Sequence, residues 1–240
     1  MKRTPEDQDA VDYWSKAGTP GGRATIMARH WLKRRAWRVI IGGALLFKRA
    51  LDVAVAAAAF AALSPLLALV AAFIKFEDGG SIFFRQTRVG LRGRTFGMWK
   101  FRSMVLNADA LKDKLQNEMA GGVTFKMKSD PRVTRIGKWI RKFSIDEMPQ
   151  LWNVLHGEMS LVGPRPPVPR EVAQYSMEER QRLLAKPGLT CFWQVGGRSE
   201  IDFAGQVRLD LEYIRSESIW LDVKLLFKTV PAVLLGKGAY

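Results

Sequence analysis

Two adjacent carboxylates, Asp146 and Glu147, stand in the segment Lys138-Trp-Ile-Arg-Lys-Phe-Ser-Ile-Asp-Glu-Met-Pro-Gln-Leu-Trp-Asn153, behind the cations Arg141 and Lys142. Pro149 follows them and is suited to opening a helix, which places the pair at a helix entrance. Neighbours in sequence point in different directions, so the pair divides tasks and need not share one proton. A carboxylate can act as nucleophile or as ligand to a hard cation, and transfer at phosphorus commonly uses both, with Mg²⁺ neutralising phosphate oxygens. Arg141, Lys142 and Arg165, the last in a proline-stiffened loop, are placed to hold phosphate oxygens by charge-assisted hydrogen bonds. A structural alternative stays open: Ser144 and Glu147 match a Ser-x-x-Glu capping box, although Pro149 would then displace an interior helical hydrogen bond.

Other residue types narrow the chemistry. His30 and His156 are the only histidines, which argues against a catalytic triad or a His-rich zinc site. The single cysteine, Cys191, excludes an internal disulfide framework, fits a reducing compartment, and reads as an ordinary small buried residue. Asp7-Gln8-Asp9 superficially matches a metal-binding carboxylate triplet, but it lies in an acidic, Gly- and Pro-rich tail and reads as chance. The formal net charge of +15 calls for a polyanionic partner, and by itself it does not choose among nucleic acid, an anionic membrane and phosphorylated substrates.

The elements that would position the pair follow from pattern. Ser81–Val89, the turn-rich Gly90–Gly93 and Thr95–Val105 predict a β-hairpin. With Trp99–Met104 as a strand, Lys100 and Arg102 share one face, offering two cations to a phosphate, while Trp99 and Phe101 share the other. Edge-strand charges facing water are the competing reading. Residues 106–120 predict a polar helix, and 126–142 carry seven Lys or Arg against one acid, with Trp139, Ile140 and Phe143 adding an apolar component. A helix is expected from Pro149 to about His156, then an extended loop through Gly163-Pro-Arg-Pro-Pro-Val-Pro169. Leu209–Leu235 predicts one or two amphipathic helices, bent or ended by Pro231.

Val53–Ile74 is 22 consecutive uncharged residues, long enough to cross a hydrocarbon core of roughly 30 Å. Ser64-Pro65 at its centre predicts a sharp break. Its flanks are evenly basic, with six Lys or Arg over 33–52 and five over 75–94, whereas a spanning helix favours one side. These features favour a re-entrant helix-break-helix, with a kinked spanning helix and a buried soluble helix as the alternatives. Before it, Arg23–Arg49, with Trp31 and Trp37 among cations, suits a headgroup interface, and a solvated basic helix is its competitor.

Taken together, these blocks resemble the bacterial sugar transferase family, the monotopic phosphoglycosyl transferases that begin glycoconjugate assembly on polyprenyl phosphate. The resemblance runs from about Phe47 to Tyr240 through Lys48-Arg-Ala-Leu-Asp52, Ser64-Pro65, Arg88-Val-Gly90, Lys100-Phe-Arg-Ser-Met104, Asp130-Pro-Arg-Val-Thr134, Ser144-Ile-Asp-Glu-Met-Pro-Gln150, Met159-Ser-Leu-Val-Gly-Pro-Arg-Pro166, Lys186-Pro-Gly-Leu-Thr190 and Trp193-Gln-Val-Gly-Gly-Arg198. It implies that Asp146 is the nucleophile toward a UDP-sugar, that UMP leaves, and that polyprenyl phosphate takes the phosphosugar from the carboxylate. Glu147 would hold Mg²⁺ with Asp146 or handle a proton, while Lys100, Arg102, Arg141, Arg165 and Arg198 would contact substrate or phosphate. Ser64-Pro65 would be the membrane break. Larger relatives carry spanning helices ahead of this unit, and the first 46 residues match nothing assignable.

The expected fold is therefore mainly α with a small β-hairpin, a monotopic membrane protein with a re-entrant helix and interfacial amphipathic helices. The expected divisions are a tail and interfacial segment over 1–46, a re-entrant helix over 47–76 and a catalytic domain over 77–240. The expected place is the bacterial inner membrane, with the catalytic domain on the cytoplasmic face. Expected partners are a UDP-sugar, polyprenyl phosphate and anionic lipids, with homo-oligomerisation left open and no nucleic acid. A rival reading makes the chain a basic membrane-peripheral scaffold without catalysis.

Overall fold

A computed structural model describes residues 17–112, 127, 130–197 and 201–235. The chain divides into two compact units, Met1–Ala50 and Leu51–Tyr240. Helix α1, Pro20–Asp78, begins within the first. Pro20 is well placed as its opening residue, where a missing N–H costs nothing, so the helix starts inside the stretch read as tail. In this unit Met27, Leu32, Val39, Leu46 and Phe47 are exposed, and the Arg35 guanidinium lies 4.2 Å from the Trp31 ring centroid.

From Gly42 to Asp78 the helix is long and apolar enough, by length and composition, to cross a membrane. It continues through Ser64-Pro65, where the sequence predicts a break. The reason is local: Pro65 cannot donate to the carbonyl of Ala61, and the Ser64 hydroxyl donates to that oxygen instead, at 2.8 Å. The alanines on both sides favour the helix further.

The second unit carries the hairpin, β1 (Phe83–Val89) antiparallel to β2 (Thr95–Phe101). Phe84 faces Lys100, Gln86 faces Met98 and Arg88 faces Phe96, so these pairs share one side and the odd-numbered aromatics share the other. Phe83 stacks on Phe101 at 5.3 Å and meets Trp99 edge-on at 6.1 Å. Helices α2 (Ala108–Lys112), α3 (Arg135–Lys142) and α4 (Gln150–His156) follow. Of the polar helix expected over 106–120, residues 113–120 lie outside the described ones.

A second sheet pairs β3 (Ser160–Val162) in parallel with β4 (Gly188–Thr190), and the crossover between them contains α5 (Pro169–Gln174). The strands meet very closely: a Cβ on Gly188 would stand 2.0 Å from the Gly163 nitrogen, so neither glycine tolerates a side chain. The remaining helices are α6 (Phe192–Gly196), α7 (Phe203–Ser216) and α8 (Ile219–Leu235). The last runs through Pro231, which neither ends nor interrupts it.

The largest apolar cluster joins Ala56 of α1 to Met98, Leu151, Val154, Leu161, Tyr213 and Leu225. A second joins Leu67, Val70 and Ile74 of α1 to Phe101 and Ile140. Polar contacts tether α1 at two points about seven turns apart. Asp52, buried, accepts from Ser160 Oγ at 2.8 Å and from the Leu161 amide at 3.2 Å, while Asp78 accepts from the Arg102 guanidinium. Asp52→Ala leaves a buried hydroxyl and a buried amide without their partner, and we expect it to destabilise the protein by about 1–3 kcal/mol. A thermal-unfolding midpoint in detergent, lowered relative to wild type, is the measurement.

Candidate active site

Asp146 and Glu147 occupy a short 3-10 turn, Ile145–Glu147, between α3 and α4. Helix α3 is opened by Thr134, whose hydroxyl accepts from the Gly137 amide at 2.9 Å, and it ends at Phe143. The chain then reverses at Ser144, which adopts a left-handed φ of 54° and makes no side-chain cap. The capping-box alternative is thereby removed: Ser144 terminates a helix, and the Glu147 carboxylate faces Lys100. Ile140, Ile145 and Met148 pack with Leu67, Val70 and Ile74, so the turn rests on the apolar stretch of α1.

Strand β2 delivers Lys100, whose ammonium donates to Glu147 Oε1 at 2.7 Å. Its register is fixed by Asn153 of α4, fully buried, which accepts from the Trp99 amide at 3.0 Å and donates to the Gly97 carbonyl at 2.9 Å. The opposite wall is the loop from Gly163 to Val168. Arg88 donates to the Pro166 carbonyl at 2.9 Å, and the Val89 amide donates to Pro167 O, also at 2.9 Å. Arg165 projects from this loop with its guanidinium 5.9 Å from the Trp193 ring centroid.

The two carboxyls titrate apart. Burial pushes Asp146 up to about 6; Lys100 opposes that, and the Glu147 charge adds to it. Burial would raise Glu147 as well, but Lys100, Arg165 and Arg88 outweigh it and hold that carboxyl down at about 2. Arg88 is itself lowered to about 10, by burial and by the nearby Arg165 charge. At neutral pH Asp146 is thus an ionised, poorly solvated carboxylate beside a permanently ionised neighbour.

Lys100, Arg102, Arg141, Asp146, Glu147 and Arg165, each anticipated from the sequence, line one cavity of about 570 Å³. Cations outnumber carboxylates in its lining by seven to four, which suits an anionic ligand. Arg198 lies outside the described residues, as does Asp7-Gln8-Asp9. Arg102 is more committed than a solvent-facing strand cation would be, since it is buried and paired with Asp78. Sequence reasoning passed over Arg88, Asp130 and Arg132 as site residues. The Arg132 guanidinium pairs with Asp130 at 2.6 Å and holds that carboxyl below its usual range. For Arg88 the signal was available, because the alternation that brings Lys100 to one face of the hairpin brings residues 84, 86 and 88 to the same face.

The acidic oxygens at the turn are few. With Glu147 Oε1 on Lys100, the remaining donors there are the second Glu147 oxygen and Asp146, and no group of three or more His, Cys, Asp or Glu occurs among the described residues. Such a set fits Mg²⁺, which usually takes one or two carboxylates together with phosphate oxygens, better than an all-protein zinc or calcium cage.

Comparison with known proteins supplies a family. The sequence profile described as bacterial sugar transferase matches residues 43–236. The exopolysaccharide production protein ExoY of Sinorhizobium fredii is 44% identical over 205 residues, covering 83% of this chain and 90% of the relative. The galactosyl transferase CpsE of Streptococcus agalactiae is 50% identical over 165 residues, 68% of this chain and 37% of that protein. The UDP-glucose:undecaprenyl-phosphate glucose-1-phosphate transferase of Escherichia coli is 39% identical over 203 residues, 81% of this chain and 42% of that one. The chain therefore spans nearly all of ExoY and about two fifths of the larger relatives.

The raised Asp146 titration has a stability consequence with a definite sign. The group ionises at about 6 when folded against 3.8 as its reference value, so the wild type loses stability as pH rises between those values. Asp146→Asn carries no such charge. Its unfolding midpoint is expected to exceed that of wild type above pH 6, with the gap closing as pH falls toward 4; pH-resolved calorimetry in detergent measures it.

Proposed function

Because the chain belongs to the bacterial sugar transferase family, we propose that it moves a sugar 1-phosphate from a UDP-sugar to polyprenyl phosphate at a membrane surface. The observation that carries this reading is Asp146, a buried carboxylate poised to ionise near neutrality at the edge of a cationic cavity. An Asp146 oxygen attacks the sugar-bearing phosphorus of the UDP-sugar. An O–P bond to the carboxylate forms, the bridging P–O bond breaks, and UMP leaves with that electron pair. An oxygen of polyprenyl phosphate then attacks the same phosphorus, restoring the carboxylate and forming a polyprenyl diphosphate sugar.

A dianionic diphosphate repels a carboxylate, and the site residues counter this. Lys100 holds Glu147 in place, and among the described residues Asp146 has no direct ion pair, while Arg141 and Arg165 are placed to bind phosphate oxygens. Mg²⁺, held by Glu147 and Asp146, would supply further charge neutralisation at the diphosphate. The names of several relatives support the substrates, including the undecaprenyl-phosphate galactose phosphotransferase of Salmonella typhimurium and the UDP-galactose-lipid carrier transferase of Erwinia amylovora.

Membrane association follows from the long apolar helix, and we place the site on the cytoplasmic face of the inner membrane, where UDP-sugars are made. We read the apolar stretch as entering the membrane from one side, and the two tethers of α1 support this: Asp52 and Asp78, at its opposite ends, are both held by the unit that carries Asp146, although the helix runs on through Ser64-Pro65. A helix crossing the bilayer would part them.

Radiolabelled UDP-sugar with purified protein and no lipid should leave a phosphosugar on the Asp146 peptide, and Asp146→Asn should abolish both adduct and transfer; a variant with wild-type transfer would falsify the assignment. The rate of the first step should climb tenfold per pH unit below about 6 and level off above it, as the carboxylate form fills. For topology, Ala44→Cys and Ser81→Cys, each in a Cys191→Ala background, should react with an impermeant maleimide from the same side of the membrane. Labelling from opposite sides would make the helix a span.

A further inference from the structure

Behind the hairpin lies a second cavity, of about 350 Å³, lined only by apolar side chains: Phe60, Leu67, Ala68 and Ala71 of α1, the aromatics Phe83, Trp99 and Phe101, and Pro149 with Trp152. That volume is in the range of small-molecule sites, about 300–1,000 Å³. Its floor is the membrane-length part of α1, on which Leu66, Leu69 and Phe73 are exposed, so it adjoins the apolar surface that α1 would turn to a bilayer. Its back wall is Phe101, which also lines the carboxylate cavity, and Pro149 stands two residues after Glu147.

Strand β2 thus separates two chemistries across its own thickness. Lys100 and Arg102 line the charged cavity, and Trp99 and Phe101, alternating with them, line the apolar one. An amphiphile with an anionic head and a hydrocarbon tail is the ligand that satisfies both sides of that alternation. Resting on the reading given above, the geometry points to this cavity as the seat of the phosphate-proximal isoprene units of the lipid acceptor, with Phe101 and Pro149 marking where the tail gives way to its phosphate. The aromatic walls favour the planar, branched isoprene unit over the flexible acyl chains of bulk lipid.

Ala68 is exposed and lines the cavity, so Ala68→Phe fills it without disturbing the core, whereas Leu69→Phe, on the outward side, is the control. With purified full-length protein in nanodiscs, Ala68→Phe should raise KM for polyprenyl phosphate roughly tenfold or more while UMP release without lipid stays at the wild-type rate. Leu69→Phe should change neither. A diazirine-bearing isoprenyl phosphate should crosslink to Trp99 or Trp152 and be competed by unlabelled polyprenyl phosphate but not by phosphatidylglycerol. An unchanged KM in Ala68→Phe, or equal competition by phosphatidylglycerol, overturns the proposal. Loss of the transfer reading would appear separately, as wild-type protein that releases no UMP; competed crosslinking would then still establish the isoprenyl site.

Discussion

The 2.7 Å ion pair between Lys100 and Glu147 sets how two adjacent carboxylates share one turn. Two like charges in a poorly hydrated site would drive at least one toward protonation. By giving Glu147 a fixed cation, the hairpin keeps that residue charged, while at Asp146 burial outweighs the opposing pull of Lys100 and Arg141. The difference between the two carboxyls therefore originates in a strand far away in sequence, held in register by the two hydrogen bonds of Asn153 to Trp99 and Gly97.

That arrangement depends in turn on α1. The turn that carries Asp146 and Glu147 has little structure of its own: a few residues, one in a left-handed conformation, between two short helices. What fixes it is apolar contact, with Ile140, Ile145 and Met148 seated on Leu67, Val70, Ile74 and Phe101. The segment that gives the chain its membrane character is thus also the surface on which the site is assembled. Removing it would expose the underside of that turn and of β2 together.

Much of this was legible in the residues, and the exceptions have physical causes. The hairpin announced itself through a glycine-rich turn between β-prone runs, and Lys100 and Arg102 separated from Trp99 and Phe101 as period two requires. Gly163–Val168 read as an extended loop because its prolines allow little else. Ser144 misled, since Ser-x-x-Glu describes a helix start and is indifferent to the positive φ that makes this serine a helix end. Pro65 misled in another way: its cost was reckoned without the Ser64 hydroxyl that replaces the missing donor. The partners of Asp52, more than a hundred residues downstream, could not be inferred from any local pattern.

The two tethers of α1 carry a mechanical consequence. A helix held by apolar packing alone can slide, roll or tilt by small amounts at little cost, because such contacts are non-directional. Hydrogen bonds at Asp52 and Asp78 are directional and fix both axial position and rotation. The helix then works less as a mooring than as a ruler: whatever depth the bilayer imposes on Leu66, Leu69 and Phe73 is passed rigidly to the height at which Asp146 stands. A bilayer of different thickness would move Asp146 along with the helix, so the elevation of that carboxylate is a property of protein and lipid together.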